Sequence, residues 1–593
     1  MKHIKKIACA MLALMMVFAL AVPAFAAETT TPTTSVKFPA NTNRTFDGYQ
    51  LLYGSVSADG KNFAYTVNPK YESILKTALG LGSDATSEQI VAKIGTYTDK
   101  SAAIQQLAND IYKAILNANL TPDENDFAPT ATNSNTVSLT QGYWLFADVT
   151  TLGESDLAYV VVLDTVGSSE LTITLKPGEI TTEKKLDDEN DSIMKETGMN
   201  DHEDDEVWQD IGDYDIGDSV PFRIHTTLPA NTAYFPYYAI LMSDTVSAGL
   251  TFNDDFKIYV DGTEKTIAQK PTTGTSNADF LYEYSTDGKT VYIYPNHGYT
   301  LNAGGAATAG TTYGGDVLPL FASKKNDDNY VDEVGGAEIT VRYTCTLNTS
   351  AKIGLEGNPN DYTLKFTNSP YADSFGTLKD KVLVLTYQYV VNKTNEDGNA
   401  LTGADFELYK FIPVTTADTA PEAQPADTTG LLNLAAEGET AQYYYQHPYT
   451  SQWGVYKVVT KSIDTAVTTF TFKGLDDGFY RLVETETPEG YNGLTGNTEF
   501  RIWANHATVL DGTGTIFGAA DGSDFQFRVP STTVLSGTEN DTGIITSDIV
   551  NKTGTELPTT GGMGTTLFYV LGTILVLGAA VLLITNKRMG AAK

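Results

Sequence analysis

The C-terminal end of this chain constrains most strongly where the rest of it can fold. An uncharged apolar run occupies residues 565–585, and about 20 such residues are enough to cross the hydrocarbon of a bilayer as one helix. A short tail with Lys587, Arg588 and Lys593 follows the run, and basic residues of this kind stay on the cytoplasmic side. The sequence therefore predicts a single membrane-spanning helix that holds the preceding residues on the outer side.

The N-terminus has the pattern of an export signal. Lys2, Lys5 and Lys6 precede an apolar stretch at 7–22, and Ala-Phe-Ala at 24–26 supplies the small residues of a cleavage site. This order is typical of a secretory signal peptide, so residues 1–26 are excluded from the mature fold.

Charge argues against one class of function, and cysteine content excludes one source of stability. The chain has 73 acidic and 39 basic residues and a net charge of −34, which argues against nucleic-acid binding because that requires a basic surface. Of the two cysteines, Cys9 lies in the signal peptide and Cys345 is left alone. The mature chain therefore cannot form an internal disulfide and needs another source of robustness outside the cell.

The length of 593 residues exceeds what one hydrophobic core can hold, so several domains are expected. Residues 46–56 and 142–149 read as strands, and apolar residues from Ile104 to Ile115 recur at helical spacing. From Ile180 onwards, short alternating runs separated by Gly, Asn, Asp and Pro are typical of β-sandwiches. The predicted fold class is mainly β, with two β-sandwich domains after an α+β domain. The predicted domains are an N-terminal domain at 27–178, a first sandwich at 179–388, a second sandwich at 389–553 and a C-terminal segment at 554–593.

An acidic insertion interrupts the first sandwich at 187–206, where ten of twenty residues are Asp or Glu. Its spacing does not match an EF-hand loop. A solvated loop is the favoured interpretation, and calcium binding stays an open alternative. No other metal site and no cofactor is predicted.

Three strands of the second sandwich each place a polar or charged residue in an inward-facing apolar row. By β alternation these residues are Lys393, Glu484 and Asn551. Burying any one of them unpaired would cost several kcal/mol. The three side chains are therefore expected to meet. The apolar residues that define the rows are Tyr387, Tyr389, Val391, Tyr480, Leu482 and Ile549.

The first sandwich repeats this pattern with a different set of residues. Lys184 shares a face with Ile180 and Leu186, Asp244 continues an apolar row, and Asn360 begins another. The predicted cluster is Lys184, Asp244 and Asn360. Neighbouring residues that leave alternatives open are Lys185, Asn358 and Asn368.

Such a combination of side chains can form a covalent cross-link. Burial pushes a lysine towards its neutral, nucleophilic amine and a carboxyl towards its protonated form. The amine can attack the Asn side-chain carbonyl while the carboxyl, Glu484 or Asp244, moves protons as ammonia leaves. The expected products are Lys393–Asn551 and Lys184–Asn360 isopeptide bonds.

Leu557, Pro558, Thr559, Thr560 and Gly561 stand directly before the apolar run and its basic tail. This order resembles the cell-wall sorting signal of Gram-positive surface proteins. The resemblance implies that a sortase cleaves between the fourth and fifth of these residues and transfers the threonyl acyl group to an amine. It also implies attachment to peptidoglycan and a cell-wall or fimbrial location.

The two sandwiches resemble isopeptide-forming modules of Gram-positive pilins. The second resembles the Cna protein B-type repeat through its opening VNK and LTGADFEL, its ETETPEGY box and its closing IVNK. Thr487 replaces the usual Ala before the proline of that box, which leaves Glu484 in place. The first resembles the fimbrial D2 module through SDTVSAGLTF and NPNDYTLKFTNSP. The resemblance implies tandem immunoglobulin-like, Cna A/B-type sandwiches.

A chain of this kind is similar to the backbone subunit of a sortase-built pilus, and the resemblance implies neighbouring pilin subunits as covalent partners. In that family a lysine near the end of the N-terminal domain accepts the acyl group. Lys176 occupies about that place, although it precedes its proline instead of following it, and Lys70 in Asn-Pro-Lys is the alternative. Host surface ligands remain candidate partners. A wall-anchored adhesin or minor pilin is the second hypothesis. A surface enzyme is disfavoured because no nucleophile-base set appears in the sequence.

Overall fold

The computed structural model of this chain describes most residues between 32 and 554. The described residues are 32–38, 44–57, 62–127, 136–173, 179–188, 208–230, 232, 235, 238–273, 276–296, 299–301, 307–309, 318–322, 335–371, 374–413, 445–446, 453–462, 465–494, 498–507, 509–510, 524–528 and 542–554. The predicted signal peptide, Lys176, the sorting motif and the apolar run at 565–585 lie outside them. No helix among the described residues is long and apolar enough to span a membrane.

The N-terminal unit combines two sheets with three α-helices. Its strands are β1 (Thr33–Lys37), β2 (Phe46–Val56), β3 (Phe63–Val67), β4 (Glu124–Phe127), β5 (Thr136–Thr140), β6 (Gly142–Asp148), β7 (Val160–Asp164) and β8 (Glu170–Thr172). Its helices are α1 (Glu72–Ala78), α2 (Ser87–Ile94) and α3 (Ala102–Asn117). The sheets have the orders β5-β1-β8 and β3-β2-β6-β7, with β4 also paired to β2.

Local sequence explains where these helices lie. Thr86 caps α2 by accepting from the backbone N–H of Gln89, whose side chain bonds back to Thr86. This reciprocal pair satisfies two backbone donors that a helix start leaves open. Helix α3 covers the region of predicted helical spacing, and its buried residues, including Ile111 and Ile115, pack against the larger sheet. The predicted α+β character of this unit is confirmed.

The middle unit is a sandwich of two large sheets. Its strands are β9 (Thr181–Asp187), β10 (Trp208–Gln209), β11 (Ile211–Asp213), β12 (Ser219–Thr227), β13 (Tyr238–Val246), β14 (Leu250–Phe252), β15 (Lys257–Val260), β16 (Thr263–Lys265), β17 (Ile267–Gln269), β18 (Phe280–Tyr284), β19 (Thr290–Pro295), β20 (Tyr299–Leu301), β21 (Ala307–Ala309), β22 (Leu318–Ala322), β23 (Glu338–Leu347), β24 (Asn358–Thr367) and β25 (Phe375–Leu385). One sheet has the order β10-β9-β12-β23-β15-β16, and β14 also pairs β23. The other has the order β11-β25-β24-β13-β19-β18-β17, where β22 also pairs β13 and β20 pairs both β22 and β21.

Alternation along these strands builds one core between the two sheets. On β23, every second residue from Ile339 to Leu347 is buried, and on β24 the same holds from Asn358 to Phe366. Residues from both sheets form a single buried apolar cluster. Period-two burial is what a two-layer sandwich requires of its inner faces.

The C-terminal unit is a smaller sandwich built on the same principle. Its strands are β26 (Tyr387–Asn395), β27 (Asp405–Pro413), β28 (Tyr445–Gln446), β29 (Trp453–Ser462), β30 (Thr469–Leu475), β31 (Gly478–Glu486), β32 (Thr498–Asn505), β33 (Asp524–Arg528) and β34 (Ile544–Asn551). Sheet β30-β26-β34 faces sheet β28-β29-β27-β31-β32-β33. The first and last strands, β26 and β34, are parallel neighbours. The mainly β fold class predicted from the sequence is confirmed.

Buried polar contacts join the middle and C-terminal units. Lys410 on β27 bonds to Asp215 of the middle unit at 2.6 Å and to Asp476 of its own unit at 2.9 Å. The Lys410 side chain is 6% exposed, so its ion pairs with Asp215 and Asp476 lie in an environment of low dielectric constant. Removing one partner from such a pair leaves a costly buried charge.

Candidate functional site

The middle unit brings Lys184, Asp244 and Asn360 together between its two sheets. Lys184 comes from β9 of one sheet, and the other two come from the adjacent strands β13 and β24 of the opposite sheet. Their exposed fractions are 0%, 1% and 0%. Each side chain points inward because it continues the apolar row of its strand.

A fourth residue, Tyr343 on β23, connects these three side chains. The Lys184 Nζ bonds to Asp244 Oδ2 and, at 2.8 Å, to the Tyr343 hydroxyl. That hydroxyl donates to Asp244 Oδ2 at 2.6 Å. It also accepts from Asn360 Nδ2 at 3.0 Å. One hydroxyl hydrogen and two lone pairs are thereby all used.

Burial shifts the pKa values of two groups in this cluster. It lowers the pKa of Lys184, although the nearby charge of Asp244 opposes the shift. Burial raises the pKa of Tyr343 well above its usual value, and the charge of Asp244 adds to the effect. The environment thus shifts the lysine towards its neutral amine and keeps the phenol neutral.

The neighbouring alternatives occupy different environments. Lys185 points to the other side of β9 and bonds to Asp210 at 2.5 Å. The amide of Asn358 is hydrogen-bonded to backbone atoms of Lys352 and Val384. Asn368 accepts a backbone hydrogen bond from the N-terminal unit at its carbonyl oxygen. None of the three has a described contact with Lys184 or Asp244.

The C-terminal unit brings together Lys393, Glu484 and Asn551. The lysine and the asparagine lie on the parallel neighbours β26 and β34, where Lys393 pairs with Ile549, two residues before Asn551. They are 0% and 1% exposed. Glu484 reaches the asparagine from β31 of the opposite sheet and is half-buried, next to a register shift between β27 and β31.

Glu484 contacts the asparagine amide directly. Asn551 Nδ2 donates to Glu484 Oε1 at 2.9 Å, and the backbone N–H of Leu494 holds the other carboxylate oxygen at 3.1 Å. The Lys393 Nζ donates to the carbonyl oxygen of Ile549 at 3.1 Å. Burial lowers the pKa of Lys393, and the charge of Glu484 opposes this shift.

In the described part of the chain, the side-chain carbonyl oxygens of both asparagines are buried without a hydrogen-bond partner. Asn360 Oδ1, Asn551 Oδ1 and Asp244 Oδ1 have no partner among the described residues. Leaving a buried acceptor unsatisfied costs about 1–3 kcal/mol. In both clusters the asparagine carbonyl oxygen is therefore buried without stabilisation by a hydrogen bond in the unreacted state.

Among the described residues, two groups of Asp and His side chains have the spacing of metal ligands, and both lie outside these clusters. They are Asp188, Asp213 and His506, and Asp213, Asp476 and Asp477. His506 Nε2 lies 3.2 Å from Asp188 Oδ2, and the two carboxylates outweigh burial and raise the pKa of His506 well above its usual value. A charged imidazole and the ammonium of Lys410 thus face these carboxylates.

Tyr343 was not identified from the sequence, although a signal for it existed. The row Ile339, Val341, Tyr343, Cys345 and Leu347 alternates inward on β23. A buried tyrosine hydroxyl normally needs a partner, so this row implied a polar contact. It could not indicate which contact, because Lys184 lies 159 residues away in the chain.

Comparison with known proteins gives a consistent picture. Residues 388–515 match a family model described as the SpaA prealbumin-like fold domain. The type 1 fimbrial subunit of Actinomyces viscosus is 25% identical over 280 residues, which are 44% of this chain and 45% of that protein. The trypsin-resistant surface T6 protein of Streptococcus pyogenes serotype M6 is 22% identical over 421 residues, 63% of this chain and 65% of that protein. The chain is similar to Gram-positive pilins.

The chain thus spans between about half and two thirds of the length of these curated relatives. Among solved structures, the T6 backbone pilin of serotype M6 Streptococcus pyogenes is 14% identical and covers 89% of this chain and 100% of its own, with a TM-score of 0.49. The major pilin SpaD of Corynebacterium diphtheriae is 14% identical and covers 90% and 100%, with a TM-score of 0.40.

Proposed function

We propose that this chain is a backbone subunit of a sortase-assembled surface pilus, stiffened by two self-formed Lys–Asn isopeptide bonds. The observation that carries the proposal is the convergence, in two successive sandwiches, of a buried lysine, a carboxyl group and an asparagine amide. The curated relatives, a fimbrial subunit and a surface T6 protein, support the same assignment. The chain acts as a structural subunit and as a substrate of the sortase, not as an enzyme with turnover.

The cross-link chemistry needs only the residues of each cluster. The neutral lysine amine attacks the asparagine Cγ, the carboxyl group accepts and returns protons, and ammonia leaves. In the C-terminal unit Glu484 touches the departing amide nitrogen at 2.9 Å, as proton delivery to that nitrogen requires.

The placement of the bonds suits a chain that transmits tension. Lys393 and Asn551 belong to β26 and β34, the first and last strands of the C-terminal unit. A bond between them transmits tension directly from the first strand to the last, so the other strands of that sandwich do not bear it. Lys184 on β9 and Asn360 on β24 do the same for most of the middle unit.

Polymerisation would use the motif at 557–561 and a lysine of the next subunit. Sortase would cleave between Thr560 and Gly561 and pass the acyl group to Lys176, and the last subunit would be passed to peptidoglycan. The alternative acceptor, Lys70, already donates to Asp123 at 2.8 Å and to the carbonyl of Thr121 at 2.6 Å.

Intact mass tests the cross-links directly. Residues 27–560, which include every described residue, should weigh about 34 Da less than the sequence mass, because each bond releases one ammonia of about 17 Da. Lys184→Met should remove half of that deficit, whereas the matched control Lys185→Met should leave it unchanged. A wild-type mass equal to the sequence mass would reject both bonds.

Immunoblots of wall extracts test polymerisation. Wild-type cells should show SDS-resistant ladders, and these should disappear in Lys176→Ala but persist in the control Lys70→Ala. Ladders that survive Lys176→Ala would place the acceptor elsewhere. A single wild-type band would favour the alternative function, a wall-anchored adhesin or minor pilin.

A further inference from the structure

The Tyr343 hydroxyl lies at the centre of the middle cluster, where it contacts every member. It is 2.8 Å from Lys184 Nζ, 2.6 Å from Asp244 Oδ2 and 3.0 Å from Asn360 Nδ2. No direct hydrogen bond joins Asp244 to the Asn360 amide among the described contacts, and Asp244 Oδ1 has no partner. The only described route from the carboxyl group to the amide nitrogen therefore passes through this hydroxyl.

The C-terminal cluster shows why a relay is needed in one unit and not in the other. Glu484, with one more methylene than an aspartate, reaches Asn551 Nδ2 directly at 2.9 Å. A tyrosine in the same sandwich, Tyr389, bonds instead to Ser547 at 2.6 Å. The shorter carboxylate of Asp244 is accompanied by a tyrosine that spans the remaining distance.

We propose that Tyr343 is a catalytic residue for the Lys184–Asn360 cross-link and that its hydroxyl relays a proton from Asp244 to the departing amide nitrogen. This inference rests on the proposed function, since it assumes that the middle cluster reacts. The Tyr343 hydroxyl is in contact with both the attacking nitrogen, Lys184 Nζ, and the leaving nitrogen, Asn360 Nδ2.

The step balances without any further reactant. The neutral Lys184 amine attacks Asn360 Cγ, a bond forms from Nζ to Cγ, and the carbonyl electron pair moves onto Oδ1. Asp244 holds the proton that it has taken from the Lys184 ammonium, with which it is in contact. Its hydrogen bond with Tyr343 then reverses: Asp244 gives this proton to the Tyr343 oxygen while the hydroxyl hydrogen turns to Nδ2 and moves onto it. The bond from Cγ to Nδ2 then breaks, ammonia leaves and the carbonyl re-forms. Asp244 takes one proton from the new amide nitrogen, which accounts for every proton of the Lys184 ammonium and the Asn360 amide.

The environment of Tyr343 favours a concerted relay. Burial keeps its pKa well above the usual value, so the hydroxyl stays neutral and passes one proton as it takes another. The ring is fixed by stacking on Phe222, with centroids 5.4 Å apart. Tyr343→Phe keeps this packing and removes only the oxygen.

The test compares both cross-links in the same molecules. Residues 27–560 are synthesised in vitro, sampled over time and digested, and the two cross-linked peptides are quantified by mass spectrometry. In Tyr343→Phe the Lys184–Asn360 bond should form about 100-fold more slowly, the usual loss when a general acid or base is removed. The Lys393–Asn551 bond should form at its wild-type rate in the same chains. Tyr362→Phe is the matched control, because it removes a buried hydroxyl that has no hydrogen bond to the cluster.

The outcomes separate this inference from the proposed function. If wild type never forms the Lys184–Asn360 bond, the proposed function fails for the middle unit. If wild type forms it and Tyr343→Phe forms it equally fast, or if Tyr362→Phe is equally slow, the relay is overturned while the cross-link stands. If Tyr343→Phe does not fold, 3-fluorotyrosine at position 343 keeps the hydroxyl and makes it more acidic. A relay then changes the rate of bond formation, and an unchanged rate overturns the inference.

Discussion

Replacing Glu484 with glutamine removes the proton acceptor of the C-terminal cluster and keeps the size of the side chain. The glutamine carbonyl can still accept from Asn551, whose amide lies 2.9 Å from the carboxylate in the wild type. Proton transfer during the reaction is lost, so Lys393 should remain a free amine. Glu484→Gln is therefore expected to weigh about 17 Da less than its own sequence mass, instead of about 34 Da less as in the wild type, because one ammonia is retained.

The cost in stability follows from the loop that the bond closes. Lys393 and Asn551 enclose about 160 residues, for which the loop-entropy relation gives about 5 kcal/mol of stabilisation. For a unit of this size, each kcal/mol shifts the melting temperature by about 2–4 °C, so the transition should fall by about 10–20 °C. Differential scanning calorimetry of residues 27–560 measures this shift, and trypsin resistance should fall with it.

Glu486→Gln is the matched control because Glu486 lies on the same strand with an exposed side chain. It should keep both the mass deficit and the melting temperature. The reasoning is refuted if Glu484→Gln still loses the ammonia. It is also refuted if the bond is absent and the melting temperature is unchanged.

Three further predictions concern the buried lysines and the thiol. Lys410→Met should lower the unfolding free energy by about 3–5 kcal/mol, because it strands two carboxylates at the junction of the units; calorimetry measures the loss, and the mass deficit should be unchanged. In Asn360→Ala, Lys184 cannot react and stays a buried amine, whose pKa in the folded state is lowered by burial. The unfolded chain then binds more protons than the folded one, so the free energy of unfolding should rise as the pH increases towards the usual lysine pKa of 10.5. Denaturant titrations should show this rise, and it should vanish when Lys184→Met is added. Burial raises the pKa of the Cys345 thiol, so a maleimide should label it only in denaturant; labelling of the folded chain would contradict its burial.

The sequence by itself predicted the inward-facing polar residues. A side chain that continues an apolar row at period two must lie in the core whatever the partner strands are, because successive side chains of a strand point to opposite faces. On this ground Lys393 and Asn551 were placed inside, and they are buried. Alternation also predicts that Glu484 faces inward. Its side chain is only half-buried, because the pairing of β31 shifts register nearby.

The choice among neighbouring residues in the middle unit was open in the sequence. Lys184 and Lys185 differ by one position, and alternation favours one of them but does not identify its partners. The structure places Lys184 against Asp244 and leaves Lys185 bonded to Asp210. It also separates Asn360, which faces the cluster, from Asn358, whose amide is held by backbone atoms.

Only the tertiary structure could reveal Tyr343 as the connecting group and Lys410 as the link between units. The hydroxyl meets a lysine 159 residues away, and Lys410 meets a carboxylate 195 residues away. Periodicity is a property of one strand, so it determines which face a residue occupies. Contacts across a sandwich depend on how separate strands are ordered and aligned, and that is fixed by the packing of the whole sheet.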